Sequence, residues 1–138
     1  MTSERKDTAT WYLRMFSYLL VIFGLLGIAT AAVVTYQALA DCGTDGAALP
    51  LGALALGLSS FVAGGITVGA GILGRAASRD GARMASLYTV ALAGVVATVI
   101  GLGLCHAAGG TMPTSLLFNG LIMVICAVIA HNLRKAAE

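Results

Sequence analysis

Charged residues are scarce in this chain and absent from three long stretches. Only 10% of the 138 residues are Asp, Glu, Lys or Arg, whereas 59% are hydrophobic. None of the four charged types occurs in residues 15–40, 46–74 or 84–133. Soluble globular domains carry about 25% charged residues. The composition therefore excludes an ordinary soluble domain and predicts an integral membrane protein with a single membrane domain, residues 1–138.

The same absence bears on mechanism. Proton-coupled exporters of similar length normally carry a buried carboxylate whose charge changes during transport. The chain also lacks a nucleophile–base pair, paired carboxylates, an HExxH motif and a phosphate-binding glycine loop. The sequence therefore predicts a non-enzymatic protein with no catalytic residues and no cofactor, and it argues against proton-coupled antiport.

Four helices account for the charge-free stretches. About 20 apolar residues cross a hydrocarbon core of about 30 Å, so the first two stretches each hold one helix. The third is too long for one crossing and must turn near Pro113. The predicted fold is an all-α four-transmembrane-helix bundle, with a cytoplasmic tail at 1–13 and helices at about 15–39, 49–73, 84–104 and 112–132.

Basic residues indicate the orientation of these helices. Lys and Arg accumulate in loops on the cytoplasmic side of a membrane. Here they precede the first helix, separate the second from the third, and follow the fourth, so both termini are expected inside. The eight basic residues are Arg5, Lys6, Arg14, Arg75, Arg79, Arg83, Arg134 and Lys135. The Ala/Gly/Val-rich composition favours a plasma (inner) membrane, and no cluster typical of nucleic-acid binding is present.

An internal similarity predicts two tandem helical hairpins. At an offset of 63 residues Cys42 meets Cys105 and Pro50 meets Pro113. Both prolines then begin an inward-running helix, where a missing N–H is tolerated. The hairpins would form a parallel repeat about an axis along the membrane normal. The alternative is convergence, because a polar turn followed by Pro is a common way to start a helix.

Small residues predict where the helices pack. Gly65 and Gly69 lie four positions apart, as do Ala93, Ala97 and Gly101 on the third helix. Such spacing lets two helix backbones approach closely in lipid. The second helix, which is rich in glycine, is predicted to be the most buried and to contact more than one neighbour.

Two amides are the least expected polar groups within the helices. Gln37 and Asn119 each lie within about two turns of the predicted outer surface. An interhelical hydrogen bond is the simpler interpretation for each amide. The alternative is that both line a small outer vestibule.

Cys42 and Cys105 flank the two outer turns and leave three interpretations open. They could form a disulfide between the hairpins, since both would face an oxidising compartment. They could instead be small apolar side chains at helix ends. With His106 they could also contribute to a zinc or copper site, although no CxxC or HxxxH spacing is present.

The function expected from these features is assembly. Abundant small-residue faces, short loops and no intramembrane charge favour a homo-oligomer or an accessory subunit of a membrane complex, with the lipid bilayer as its surroundings. The alternative is a passive pore or small carrier for a neutral solute, using Gln37, Asn119 and the hydroxyl groups. A lipid-modifying enzyme that depends on His106 is a third and weaker hypothesis.

Overall fold

Four long α-helices make up the described part of the chain. The computed structural model describes residues 3–45, 50–109 and 112–138, and it contains no strand within those ranges. The helices are α1 (Ser3–Asp45), α2 (Leu51–Ala77), α3 (Met84–Ala107) and α4 (Thr114–Ala137), with a short 3₁₀ helix at Gly81–Arg83. Each is long and apolar enough to cross a membrane, with mean hydropathy between 1.8 and 2.3 over its most apolar stretch. The predicted all-α fold with four membrane-spanning helices is confirmed at this level.

α1 begins much earlier than the sequence predicted. Residues 3–13, expected to form a tail, continue the helix for about three turns. The Thr8 and Thr10 hydroxyls donate to carbonyl oxygens four residues back, at 2.8 Å each. Leu13 is fully buried in the main core, and Ala9 packs against the same core. This part of α1 was not predicted because most of its residues are polar. Only the face of the helix that contacts the core needs apolar residues.

Proline, glycine and an aspartate determine where the other helices begin and end. Pro50 and Pro113 immediately precede α2 and α4, where no intrahelical N–H is lost. Between α2 and α3, the Asp80 side chain accepts a hydrogen bond from the Ala82 amide at 3.1 Å. After α3, Gly109 adopts φ of 75°, a left-handed conformation that favours glycine. α2 and α3, and α3 and α4, therefore pack side by side as antiparallel neighbours.

Buried residues recur every seven positions along the helices. On α3 they are Met84, Leu87, Ala91, Gly94, Thr98, Gly101 and Cys105. On α2, Ala63, Ala70 and Ala77 follow the same spacing. Alternate steps of three and four residues average 3.5, which is the repeat of left-handed helix packing. The bundle therefore packs in the manner of a coiled coil, with small side chains in many of the buried positions.

The interface between α1 and α2 is the most extensive, and their backbones touch. A Cβ atom added to Gly64 would lie 2.9 Å from the carbonyl oxygen of Gly24. One added to Gly71 would lie 2.8 Å from the carbonyl oxygen of Ser17. Real Cβ atoms do not approach backbone so closely, so glycine is required at both positions.

The glycine pair selected from the sequence is not part of this packing. A Cβ atom added to Gly65 or Gly69 would meet nothing within 4 Å, so neither residue packs against another helix of the same chain. The prediction assumed a four-residue stripe, which suits a right-handed crossing. The bundle instead uses the seven-residue rows through Gly57, Gly64 and Gly71.

The small-residue face predicted for α3 is displaced for the same reason. Ala93 is exposed and Ala97 is half-buried, whereas Gly101 lies in the packed row. A Cβ atom on Gly101 would be 2.9 Å from the Ser59 Cβ atom on α2. Ala91 and Gly94, rather than Ala93, continue that row toward the start of the helix.

α2 occupies the centre of the contact pattern. It touches α1, α3 and α4, whereas α1 and α3 lie diagonally and hardly meet. Contact between α1 and α4 is slight, so the bundle is loosely closed on that side. The prediction of several neighbours for α2 agrees with this pattern. Its predicted rank as the most buried helix also agrees over the whole helices, since nine residues of α2 are buried, against seven of α3 and six of α4.

Candidate functional site

Asn119 of α4 meets Thr67 of α2 inside the bundle. The Thr67 side chain is fully buried, and its hydroxyl oxygen lies 2.7 Å from the Asn119 Oδ1 atom. Both residues occupy seven-residue rows of their helices, with Ser60 and Gly74 on the row of Thr67, and Cys126 and Leu133 on the row of Asn119. A polar pair thus lies at positions that otherwise hold small or apolar residues.

The level of this pair differs from the sequence-based expectation. Thr67 lies about ten residues before the end of α2, or about 15 Å, which is half of a 30 Å hydrocarbon core. Asn119 was expected near the outer surface. It lies deeper because α4 begins level with the middle of α2, where Leu116 packs in one cluster with Ala63 and Cys105.

The pair leaves one amide atom without a partner. The Thr67 hydroxyl also lies 2.7 Å from the Ala63 carbonyl oxygen and has a single proton to donate. The Asn119 Nδ2 group is buried and has no hydrogen-bond partner in the described part of the chain. Reversing the amide would pair Nδ2 with the Thr67 oxygen and leave Oδ1 unpaired instead. Asn119 therefore retains unused hydrogen-bonding capacity in either orientation.

A cavity of about 250 Å³ adjoins Asn119 on the loosely closed side of the bundle. It lies between α1, α2 and α4, where α1 and α4 make little contact. Its polar lining residues are Thr30, Ser60, Ser115 and Asn119; its other lining residues are Phe23, Leu26, Gly27, Ala63, Gly64, Leu116, Phe118 and Ile122. Phe23, Leu26 and Phe118 are each about half exposed, so the cavity opens at the surface between α1 and α4.

The lining limits what the cavity can do chemically. None of its residues is an acid, a base, a cysteine or a histidine. The lining hydroxyl groups therefore have no acidic or basic side chain beside them in the cavity that could activate them. What the cavity offers is apolar surface, hydroxyl groups and one amide with unused capacity, which suits a neutral ligand.

Gln37 does not share this site. It is exposed on α1, it does not line the cavity, and it forms no side-chain hydrogen bond with the described residues. The vestibule predicted from Gln37 and Asn119 together is therefore not formed by these two amides, because the α1 residue lies outside the packed rows.

The cysteines are placed in different surroundings. Cys105 is 2% exposed and packs with Ala63 and Leu116, whereas Cys42 is half-buried near the end of α1. No disulfide joins any of the three cysteines, all of which lie in the described ranges. α1 and α3 are diagonal helices, and Cys105 faces α2 and α4 rather than α1. The arrangement of Cys105 corresponds to the interpretation as a small apolar side chain.

The structure does not form the alternative metal site at Cys42, Cys105 and His106. His106 is exposed, while its neighbour Cys105 is buried, because successive helical residues point about 100° apart. Among the described residues, no three His, Cys, Asp or Glu side chains are grouped so as to hold a metal ion.

All basic residues lie at one end of the bundle, which we call the basic end. It comprises the start of α1, the turn between α2 and α3, and the end of α4. The Arg75 guanidinium lies 5.3 Å from the centroid of the Tyr18 ring, and the Tyr88 and His131 rings are 5.6 Å apart. Aromatic and cationic side chains together suit the head-group region of a membrane.

A seven-residue search of the sequence would have found part of this site. The row Ser60, Thr67 and Gly74 and the row Asn119, Cys126 and Leu133 are both visible in the sequence at that period.

Comparisons with family models, with curated proteins and with solved structures found no match to this chain.

Proposed function

We propose that this protein is a non-enzymatic membrane component that acts through helix–helix contacts, as a homo-oligomer or as an accessory subunit of a membrane complex. The observation that supports this role is the unused glycine pair on α2. Gly65 and Gly69 have open space in front of them, although α2 packs extensively against both α1 and α3. Close approach of a further helix at this point is the use that lipid-embedded glycines commonly have.

The surroundings of the glycine pair favour a helix as the occupant. Val62 and Ile72 flank it along the same face and are 48% and 61% exposed, and Leu58 extends the face. These positions follow steps of three and four residues, so they form one straight apolar ridge with a central notch. A second helix could fill the notch with its own ridge and bury the flanking side chains.

Substitution of the notch tests the assembly role. Gly65→Leu and Gly69→Leu should leave the single chain folded, because nothing lies within 4 Å of either position. They should lower the mass of the complex purified from native membranes, measured by light scattering in mild detergent. Gly103→Leu on α3 is the matched control, since that glycine is also open. Equal masses for all three variants and the parent would contradict the role of this face.

The orientation and location belong to the same proposal. With the basic end on the cytoplasmic side of the plasma membrane, both termini would be inside. Cysteine labelling tests this in a Cys42→Ser background: Met112→Cys should react with an impermeant reagent added to intact cells, and Arg79→Cys should react only after lysis. Labelling of Arg79→Cys in intact cells would show that the basic end lies outside, which contradicts the proposed orientation.

The tandem relation of the hairpins stays a prediction within this proposal. The 63-residue offset carries the first residue of α2, Leu51, onto the first residue of α4, Thr114. That offset is also a whole number of seven-residue repeats, so buried positions coincide in any bundle packed in this way. The matching prolines Pro50 and Pro113 favour duplication, whereas the different depths of the two helix starts, with Leu116 beside Ala63, argue against it.

A carrier or passive pore for a neutral solute is the second candidate, and the cavity beside Asn119 favours it. The cavity provides hydroxyl groups and an amide at about the middle level of the bundle, where a transported solute would need them. Solute flux into liposomes that is lost in Asn119→Leu would support the carrier. A stoichiometric partner retained through purification, with no flux, would support the subunit.

A further inference from the structure

We propose that the cavity between α1, α2 and α4 binds a neutral, membrane-soluble molecule through a hydrogen-bond acceptor oxygen, such as a ketone or ester carbonyl, with the Asn119 amide as its anchor. This inference goes beyond assembly through helix contacts. It is also independent of transport, because a molecule can be held in the cavity without crossing the membrane.

The unpaired Asn119 Nδ2 group indicates that the ligand carries a polar atom. With the amide oriented as in the structure, Nδ2 is buried, has no hydrogen-bond partner in the described part of the chain, and belongs to a residue that lines the cavity. This orientation requires an acceptor on the ligand, whereas the reversed amide would require a donor such as a hydroxyl group. A donor without a partner is unfavourable in an apolar medium, and lipid chains contain no acceptor at mid-membrane depth. The Nδ2 atom itself has almost no exposed surface, so a carbonyl oxygen in the cavity would satisfy this donor once the Asn119 side chain turns toward the cavity.

The walls of the cavity determine the rest of the ligand. Phe23, Leu26, Phe118 and Ile122 present apolar surface, and no charged or titratable side chain lines the space. A charged ligand would lose its hydration without compensation. A volume of about 250 Å³ lies just below the range of about 300–1,000 Å³ that holds drug-sized ligands. The cavity therefore suits a small neutral molecule, or the carbonyl-bearing part of a longer lipid.

Access is provided from the membrane side. α1 and α4 make little contact, and the half-exposed Phe23 and Phe118 stand on the two helices that border the cavity. A molecule dissolved in the bilayer can therefore reach Asn119 laterally, without crossing the polar surface of the protein.

Gly27 offers a way to fill the cavity without disturbing the fold. It lines the cavity from α1, and a Cβ atom added there would meet only the Gly64 Cα atom, at an ordinary contact distance of 3.8 Å. Gly27→Leu should therefore occupy the space, whereas Asn119→Leu should remove the donor and leave most of the space open. The two variants separate the contribution of volume from that of the hydrogen bond.

The experiment uses the whole protein in phosphatidylcholine nanodiscs and a diazirine-labelled ten-carbon methyl ketone as the probe. The matched control probe is the corresponding diazirine-labelled hydrocarbon, and cross-linked residues are mapped by mass spectrometry. We expect the ketone to label peptides containing Phe23 or Phe118, with at least tenfold less labelling by the hydrocarbon. Unlabelled 2-undecanone should compete, and undecane should not.

The variants complete the test. Asn119→Leu should reduce ketone labelling about tenfold to the level of the hydrocarbon, and Gly27→Leu should abolish labelling by both. Gln37→Leu, which removes an exposed amide outside the cavity, should label like the parent. Equal labelling by the ketone and the hydrocarbon in the parent protein would overturn the proposal, even if a variant failed to fold. Undiminished ketone labelling of folded Asn119→Leu would overturn it as well.

The outcomes for function and for binding remain distinguishable. Loss of assembly in Gly65→Leu with intact ketone labelling would support both proposals. An unchanged assembly with intact labelling would contradict only the assembly role of α2, and absent labelling in a correctly assembled protein would contradict only the binding site.

Discussion

The Thr67 hydroxyl oxygen of α2 lies 2.7 Å from the amide oxygen of Asn119 of α4, although 52 residues separate them in the chain. The contact joins two helices at the middle level of the bundle. The hydroxyls of Ser17, Thr30 and Thr98 donate to carbonyl oxygens four residues back on their own helices, and the Thr67 hydroxyl lies equally close to the Ala63 carbonyl oxygen. Thr67 differs from them in having a second polar neighbour, the Asn119 amide on another helix.

Removing either member of this pair should have unequal effects on stability. Thr67→Val leaves the whole amide of Asn119 buried without a partner, and we expect it to lower the free energy of unfolding by about 1 kcal/mol. Asn119→Leu removes the unpaired donor as well, so it should cost less or even stabilise. Equilibrium unfolding in mixed micelles with increasing SDS measures both.

Thr30→Val is the control for loss of a hydroxyl. Its hydroxyl donates to the Leu26 carbonyl oxygen within α1, and the residue is exposed. The change in its free energy of unfolding should stay within about 0.5 kcal/mol. If Asn119→Leu were more destabilising than Thr67→Val, the view that Asn119 is incompletely paired would be wrong.

Adjacent glycines on α2 should differ sharply in their tolerance of a methyl group. Gly64→Ala places a Cβ atom 2.9 Å from the Gly24 carbonyl oxygen, which forces α1 and α2 apart. We expect a loss of about 1–3 kcal/mol in the free energy of unfolding, the usual cost of overpacking. Gly65→Ala meets nothing within 4 Å and should be neutral. Similar losses for both variants would contradict the packing of this interface.

This pair of glycines also illustrates what the sequence could and could not reveal. Charge-free length is a local property, so the four membrane helices were predictable from the sequence. Whether a helix packs through Gly65 or through Gly64 depends on the angle at which its neighbour crosses, which is a tertiary property. The four-residue rule selected Gly65 and Gly69, whereas the seven-residue packing uses Gly64 and Gly71.

The candidate site was predictable to a smaller extent. Asn119 stood out because an amide in a membrane helix needs partners. Its partner could not be named, since several hydroxyl residues of α2 and α3 were equally available in the sequence. Its depth was misjudged because the predicted helices were aligned by their ends, whereas α4 begins beside the middle of α2. The start of α1 at Ser3 was missed because Leu13 becomes a core residue only when the other helices are present.

Cysteine reactivity should follow the burial of each thiol. Cys105 is 2% exposed, so in folded protein it should react with maleimide far more slowly than a cysteine introduced by His106→Cys at the neighbouring exposed position. After unfolding without reductant, Cys105 should be alkylated completely, because no disulfide joins it to another cysteine. Detection of disulfide-linked peptides containing Cys42 and Cys105 in a non-reducing digest of native membranes would contradict this placement. It would support the disulfide considered from the sequence.

The contact between Arg75 and Tyr18 should contribute to holding α1 and α2 together at the basic end. The guanidinium carbon lies 5.3 Å from the ring centroid, within the range of a cation–π interaction. Tyr18→Leu should therefore lower the free energy of unfolding by about 0.5–1 kcal/mol, whereas Tyr18→Phe, which keeps the ring, should have little effect. The same SDS titration measures both, and Arg75→Gln supplies the complementary change. If Tyr18→Leu were equally destabilising in the parent and in the Arg75→Gln background, its effect would come from lost apolar packing rather than from the cation.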